Sequence, residues 1–108
     1  MREESSDAAF AAAKSGRGHR CVGTLALVAF SDDLATRGAW IDIVETFEMT
    51  EESEIPRIDL GIYGDHGCYD RPAAERRELA AERLKVMLAA ASNSSAVFSF
   101  TVWLDCED

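Results

Sequence analysis

The sequence predicts a single α+β domain in which a four-stranded mixed sheet is covered on one face by a long helix. Residues 73–91 have helical periodicity, and their apolar side chains fall within about a third of the helix circumference. Four further stretches, 21–30, 40–49, 57–62 and 96–105, have the length and composition of strands. The apolar side of the helix is formed by Ala73, Ala80, Leu84, Met87, Leu88 and Ala91.

The expected chain order is α-β-β-β-α-β over a single domain, 1–108, in which 1–20 forms an N-terminal helix and a flexible basic loop. The stretch 21–30 is placed centrally because it is apolar on both alternating sets of positions. Residues 31–38 are too few for a parallel crossover, so the first three strands should form an antiparallel meander. Pro56 indicates an edge position for the third strand, because proline cannot donate to a sheet ladder.

The long helix should begin after Asp70, as its N-cap, with Pro72 in its first turn. It returns the chain to a fourth strand beside the free edge of the first, which gives the order 3-2-1-4. The alternative is a βαββαβ arrangement with a very short helix over 32–37.

Charge and composition exclude several classes of protein. A net charge of −9 disfavours direct binding to nucleic acid, because such binding requires neutralised phosphates. No apolar run approaches a membrane span, and the polar N-terminus lacks a signal core, so we expect a cytoplasmic protein with no membrane partner. Three cysteines suit reduced thiols. Phosphate loops, dinucleotide fingerprints, nucleophile elbows and HExxH motifs do not occur, so we expect a non-enzyme without a cofactor.

A doubled His-x-Cys pattern is the most specific motif. His19 and Cys21 form one pair, and His66 and Cys68 form the other. Residues two apart in extended chain point to the same side, so two such pairs could supply the four ligands of a tetrahedral zinc ion. The spacing is shorter than in usual zinc loops, and free cysteines are commonly buried. We therefore expect no bound metal. If a metal does bind, these four residues are the candidate ligands.

Acidic residues are concentrated between 31 and 59. This stretch contains nine carboxylates and two basic residues, Arg37 and Arg57. Such a cluster either keeps the protein soluble or binds a basic partner. Two tryptophans, Trp40 and Trp103, fall on strand positions shared with acids, where each would be core packing or an exposed anchor. The predicted partner-binding surface is Trp40, Asp42, Glu45, Glu48, Glu51, Glu52, Glu54 and Asp59, with Trp40 as its anchor.

These observations favour a non-enzymatic acidic protein that binds and inhibits a basic or nucleic-acid-acting partner. Immunity proteins, antitoxins and phage-type inhibitors have this character. The alternative is a small adaptor, either resembling a secretion chaperone or homodimeric, that works through its sheet face. A weaker alternative is a metal-binding protein that uses the His-x-Cys pairs. The protein itself is expected to be a monomer or a homodimer.

Overall fold

Three α-helices and four strands build the fold, seen in a computed structural model that describes residues 2–63 and 68–107, and the side chains of 7–63 and 69–107. The predicted α+β class with a four-stranded sheet is confirmed. Short 3-10 turns lie at Ile58–Leu60 and Cys68–Asp70. In chain order the elements are α1 (Arg2–Lys14), β1 (His19–Val22), α2 (Thr24–Thr36), β2 (Ala39–Met49), β3 (Glu54–Pro56), α3 (Ala73–Ser92) and β4 (Val97–Cys106).

The sheet order is β1-β4-β2-β3, and every strand pair is antiparallel. We expected a mixed sheet in which the fourth strand lay outside the first, whereas β4 lies between β1 and β2. The reason is that a helix, α2, connects β1 to β2. A helical connection spans the width of an intervening strand, so β4 can insert there and pair with both neighbours. The element order is therefore α-β-α-β-β-α-β. After α1 it matches the βαββαβ arrangement that was the alternative expectation.

The expected central strand over 21–30 is corrected. β1 ends at Val22, and Gly23 has φ 89° and ψ 155°, a conformation that essentially only glycine adopts. The amide of Leu27 donates to the carbonyl of Gly23 at 3.3 Å, which begins α2. Leu27, Phe30 and Leu34 are buried at helical spacing. The apolar run thus follows a helical period, and β1 is a short edge strand.

A β-bulge at Asp42 changes which side chains share a face of β2. Ile41 pairs with Leu104 and Ile43 with Trp103, so Asp42 is an extra residue on β2. The simple alternation placed Ile41 and Ile43 on one side, but the bulge puts them on opposite faces. Ile41 belongs to the core, and Ile43 faces away from it.

The third predicted strand is also corrected. Residues 54–56 form β3, whereas Ile58–Leu60 is a 3-10 turn and Ile62 makes a single bridge to Val44. The edge position expected from Pro56 is confirmed, because β3 is the outermost strand on its side. The turn that we expected before it is present, with the amide of Thr50 donating to the carbonyl of Ser53 at 2.8 Å.

All three helices contribute to one apolar core on one face of the sheet. The predicted apolar side of α3 is confirmed: Met87 and Ala91 are buried in this core, and Leu84 and Leu88 pack against it half-buried. Pro72, rather than Asp70, is the N-cap of α3. Among the described helices, none is long and apolar enough to cross a bilayer. The sheet residues of the core are Cys21, Ala39, Ile41, Val44, Phe98, Phe100 and Val102.

Candidate functional site

Ion pairs and hydrogen bonds within the chain hold four of the seven acids predicted to bind a partner. Glu48 and Asp59 both pair with Arg57, at 2.7 and 3.0 Å. The Arg57 guanidinium lowers the pKa of Asp59. Glu54 pairs with Arg20, and Asp42 accepts a hydrogen bond from Tyr69 Oη at 2.6 Å. These four carboxylates therefore already have partners inside the fold.

The other three acids, Glu45, Glu51 and Glu52, are exposed. Among the described side chains, none forms an ion pair with them. Glu51 and Glu52 lie in the turn between β2 and β3, and Glu45 lies on β2. These three carboxylates form the acidic surface that is available to a partner.

Trp40, the predicted anchor, is only 6% exposed, so it packs within the fold and cannot fill a pocket on a partner. It lies opposite Asp105 in the β2–β4 pair. The guanidinium of Arg76 is centred 5.9 Å from its ring. The sequence could not show this, because Arg76 comes from α3, 36 residues further along the chain.

The sheet face opposite the core also carries apolar side chains. The register places Ile43, Phe47 and Met49 of β2 on this face, next to Trp103 and Val97 of β4. None of these five side chains is part of the apolar core. Val97 is 57% exposed, and the other four are half-buried. We call these five residues the open sheet face.

A polar bridge crosses the open sheet face from one edge strand to the other. Arg20 of β1 pairs with Glu54 of β3, and Ser99 of β4 donates to the same Glu54 carboxylate at 2.8 Å. These two donors lower the pKa of Glu54. The bridge buries Ser99 almost completely and leaves Arg20 half exposed.

A cavity of about 250 Å³ adjoins the open sheet face, and Phe47 belongs to both. Pro56 of β3, Ile58 and Tyr63 also line this cavity. Ile58 is 75% exposed, and the hydroxyl of Tyr63 donates to its carbonyl at 3.3 Å. Glu45 also lines this cavity, so one of the exposed carboxylates borders an apolar depression.

The bulge residue Asp42 carries a half-buried carboxyl group. Burial raises its pKa, and the hydrogen bond from Tyr69 opposes that rise. Asp105 raises the pKa further, whereas Arg83 and Arg76 lower it. Bulges often re-aim a side chain near a functional site. Here the bulge turns Asp42 toward the segment that leads into α3, and its hydrogen bond fixes that segment.

The first His-x-Cys pair lies on the core side of β1. His19 and Cys21 point to the same face, as expected, but His19 packs on the ring of Phe30 with centroids 4.6 Å apart. Burial lowers the pKa of His19 and raises that of Cys21 to about 11. His66 and the side chain of Cys68 lie outside the described residues. Within the described part of the chain, no group of three or more His, Cys, Asp or Glu side chains could hold a metal ion.

The alternation of β2 placed Ile41 on the same side as Ile43, Phe47 and Met49, and the bulge at Asp42 is why Ile41 does not belong to the open sheet face. Of the five residues of the open sheet face, only Trp103 was named as a possible exposed anchor, and its indole Nε1 donates to the carbonyl of Gly16 at 3.1 Å. The strand alternation of β4 was the available signal. Val97, Ser99, Thr101 and Trp103 form one set, and Phe98, Phe100 and Val102 form the buried set.

No protein family, curated protein or solved structure matches this chain.

Proposed function

We propose that this chain is a non-enzymatic protein that binds a basic partner protein through the open sheet face and the acidic turn beside it. The observation that carries the proposal is the position of Met49 and Val97, which pair at the end of the open sheet face where the turn with Glu51 and Glu52 begins. Apolar contact area and unpaired negative charge therefore adjoin on one side of the molecule.

The apolar part of this surface supplies affinity. Burying apolar area favours association, and large side chains at the centre of an interface carry most of the binding energy. Phe47 and Trp103 are the largest side chains on the open sheet face, and they take the anchor role expected of Trp40. Both are half-buried, so their positions are already fixed before a partner binds. Fixed anchors lose less entropy on binding.

The charged part supplies selectivity for a basic partner. Glu45, Glu51 and Glu52 are exposed, and the chain as a whole carries a charge of −9. Exposed carboxylates gain under ~1 kcal/mol per ion pair, but several together raise the association rate of a cationic protein. Arg20 is the basic group on this face, and it is paired with Glu54.

The proposed partner class follows from this charge. A secreted toxin, a toxin of a toxin–antitoxin pair or a nucleic-acid enzyme presents a basic surface to phosphates. An acidic protein that covers such a surface inhibits it without chemistry of its own. An immunity protein, an antitoxin and a phage-type inhibitor are therefore the classes of function that fit this chain.

The test measures association and dissociation rates. Partners are captured from native lysate with the tagged chain, and one captured protein is purified and studied by surface plasmon resonance from 25 to 500 mM salt. The charge variant is Glu51→Lys with Glu52→Lys, and its control is Glu75→Lys with Glu78→Lys on the exposed side of α3. The apolar variant is Val97→Gln, and its control is Val86→Gln, since Val86 is 62% exposed on α3.

We expect the turn variant to slow association at least ten-fold at low salt, with a smaller effect at high salt because ions screen the charges. Val97→Gln should speed dissociation several-fold, and both controls should bind as the unmodified chain does. Equal effects of the turn variant and its α3 control would contradict the proposal. So would a captured partner with an acidic surface.

A small adaptor remains the second candidate, because it would also use the open sheet face. An adaptor that recognises apolar segments would bind them with little dependence on salt. Its binding should respond to Val97→Gln and not to the charge reversals in the turn. The same measurements therefore distinguish the two functions.

A further inference from the structure

The polar bridge on the open sheet face passes over the central strands rather than along an edge. Glu54 lies opposite Met49 in the β2–β3 pair. Ser99, which donates to the Glu54 carboxylate, lies on β4 opposite Phe47. Because β2 lies between β3 and β4, the Glu54 side chain crosses β2 next to Phe47 and Met49. Arg20 reaches the same carboxylate from β1, on the far side of β4.

The two donors of the polar bridge use only one oxygen of the Glu54 carboxylate. Arg20 Nη2 and Ser99 Oγ both donate to Oε1. Among the described residues, none donates to Oε2, and the Glu54 side chain is 39% exposed. An ionised carboxylate can accept about four hydrogen bonds, two on each oxygen. Glu54 therefore has room for a further cationic donor that approaches from solvent.

Arg20 is the more easily displaced of the two donors. Its side chain is 51% exposed, and β1 is an edge strand of four residues. An exposed ion pair contributes little to stability, because water solvates both charges and the long side chain loses rotamer freedom. Ser99, by contrast, is 1% exposed on a strand that is paired on both sides. Arg20 can therefore leave the carboxylate at low cost while Ser99 keeps it oriented.

We propose that Arg20 occupies, in the free chain, the place that an Arg or Lys side chain of the basic partner takes in the complex, and that Glu54 selects this side chain. The inference rests on the proposed function, in which a basic protein binds the open sheet face. The incoming cation replaces Arg20, so the carboxylate is never left without a counter-charge. It pairs beside Phe47 and Met49, where apolar groups of the partner exclude water and strengthen the ion pair.

Glu54 and the exposed acids of the neighbouring turn then have different roles. Glu51 and Glu52 are exposed and attract a cationic protein from a distance, so they act on the association rate. Glu54 is already oriented by Ser99, and a fixed group loses less entropy on binding. It acts on the lifetime of the complex. The partner that fits presents a cation between apolar side chains, rather than a run of basic residues.

An exchange predicts that removing Arg20 tightens binding. The probe is the acetylated and amidated peptide Ser-Leu-Arg-Leu-Ser, and its control carries citrulline, the uncharged analogue of arginine, at the centre. NMR titration of the full chain measures both dissociation constants, which we expect in the millimolar range. Arg20→Gln should lower the dissociation constant of the arginine peptide at least three-fold, because Glu54 loses its internal cation. Arg17→Gln removes the same charge from an exposed position before β1, and it should change the constant less than two-fold.

Glu54→Gln separates the exchange from a general effect of charge. In that background, Arg20→Gln should tighten binding no more than Arg17→Gln does, and the citrulline peptide should gain nothing in any variant. The proposal is overturned by a gain from Arg20→Gln that does not exceed the gain from Arg17→Gln, or that persists without Glu54 or with citrulline. Absence of saturable binding of the arginine peptide to the Arg20→Gln chain would overturn it as well.

The NMR signal of the Arg20 Nε–H group reports the displacement itself, and it is assigned by its absence in Arg20→Gln. We expect it to shift when the arginine peptide is added and not when the citrulline peptide is added. An unchanged signal at saturation would contradict the exchange. A captured partner that responds to the turn variant and to Val97→Gln, together with a peptide that gains nothing from Arg20→Gln, would overturn the exchange alone and leave the proposed function standing.

Discussion

Arg76 of α3 donates a hydrogen bond from Nε to the carboxylate of Asp105 in β4 at 2.9 Å, and this ion pair is among the least exposed in the described chain. The same guanidinium donates to the carbonyl of Arg71 at 2.6 Å and lies over the ring of Trp40. One arginine therefore ties the first turns of α3 to two central strands. This contact adds to the core packing of Met87 and Ala91 in holding α3 against the sheet.

Replacing Arg76 with Ala should lower the free energy of unfolding by about 2–4 kcal/mol, because Asp105 would be left with a partly buried and uncompensated charge. The control is Arg77→Ala, which removes an exposed ion pair with Glu107 and should cost less than about 1 kcal/mol. Urea unfolding of the two variants measures both values. Equal losses would mean that the Arg76 contact is no stronger than a surface ion pair.

Replacing Gly23 with Ala should cost about 1–3 kcal/mol, because its φ of 89° is strained for any residue with a side chain. No atom lies within 4 Å of the Cβ that alanine would add, so the loss reports backbone strain alone. Gly16→Ala is the control, since Gly16 has the same open surroundings without a positive φ. Thermal unfolding should show a lower Tm only for Gly23→Ala, and an unchanged Tm for both would contradict the β1–α2 turn.

Replacing Met87 with Ala should cost about 2–5 kcal/mol, because Met87 is 4% exposed in the core. Leu84→Ala should cost roughly half as much, because Leu84 is only half-buried against that core. Chemical denaturation of both variants checks the order of the two losses. A larger loss for Leu84 would mean that α3 is rotated about its axis relative to the sheet.

Asp42 should make the protein less stable as the pH rises. Burial raises its pKa above the ordinary value of 3.8, so the native state holds the proton more tightly than the unfolded chain does. The contribution of protonated Asp42 to the free energy of unfolding is therefore fully present below pH 3.8. It is lost as the pH rises through the pKa of Asp42 in the folded protein. Asp42→Asn should remove this loss, and its amide oxygen can still accept from Tyr69. The difference in unfolding free energy between the variant and the unmodified chain, measured from pH 3 to 7, isolates this group from Glu54 and Asp59, whose pKa values are lowered.

The hydrogen bond to Asp42 has a separate signature. Tyr69→Phe removes a donor that stabilises the charged carboxylate, so the pKa of Asp42 should rise further above its ordinary value. NMR titration of the Asp42 side-chain carbon measures both values. A fall in the pKa on removal of the hydroxyl would show that Tyr69 does not donate to this carboxylate.

Local periodicity was sufficient for the elements whose neighbours in sequence decide their structure. The apolar side of α3, the strands β2 and β4, and the turn after Met49 follow from spacing alone, because side chains repeat every 3.6 residues in a helix and every two in a strand. The shared face of His19 and Cys21 follows for the same reason. The concentration of acids between 31 and 59 is equally a property of the sequence.

Tertiary structure decided everything that depends on contacts between distant segments. The run 21–30 is apolar enough for either a strand or a helix, and the turn at Gly23 selects the helix. Asp42, Glu48, Glu54 and Asp59 look alike in sequence, but each finds a partner in the folded chain, so Glu45, Glu51 and Glu52 are the acids of the predicted surface that form no ion pair with a described side chain. Trp40 packs under an arginine of a helix that the local pattern cannot place, whereas Trp103 is half-buried on the sheet face opposite the core.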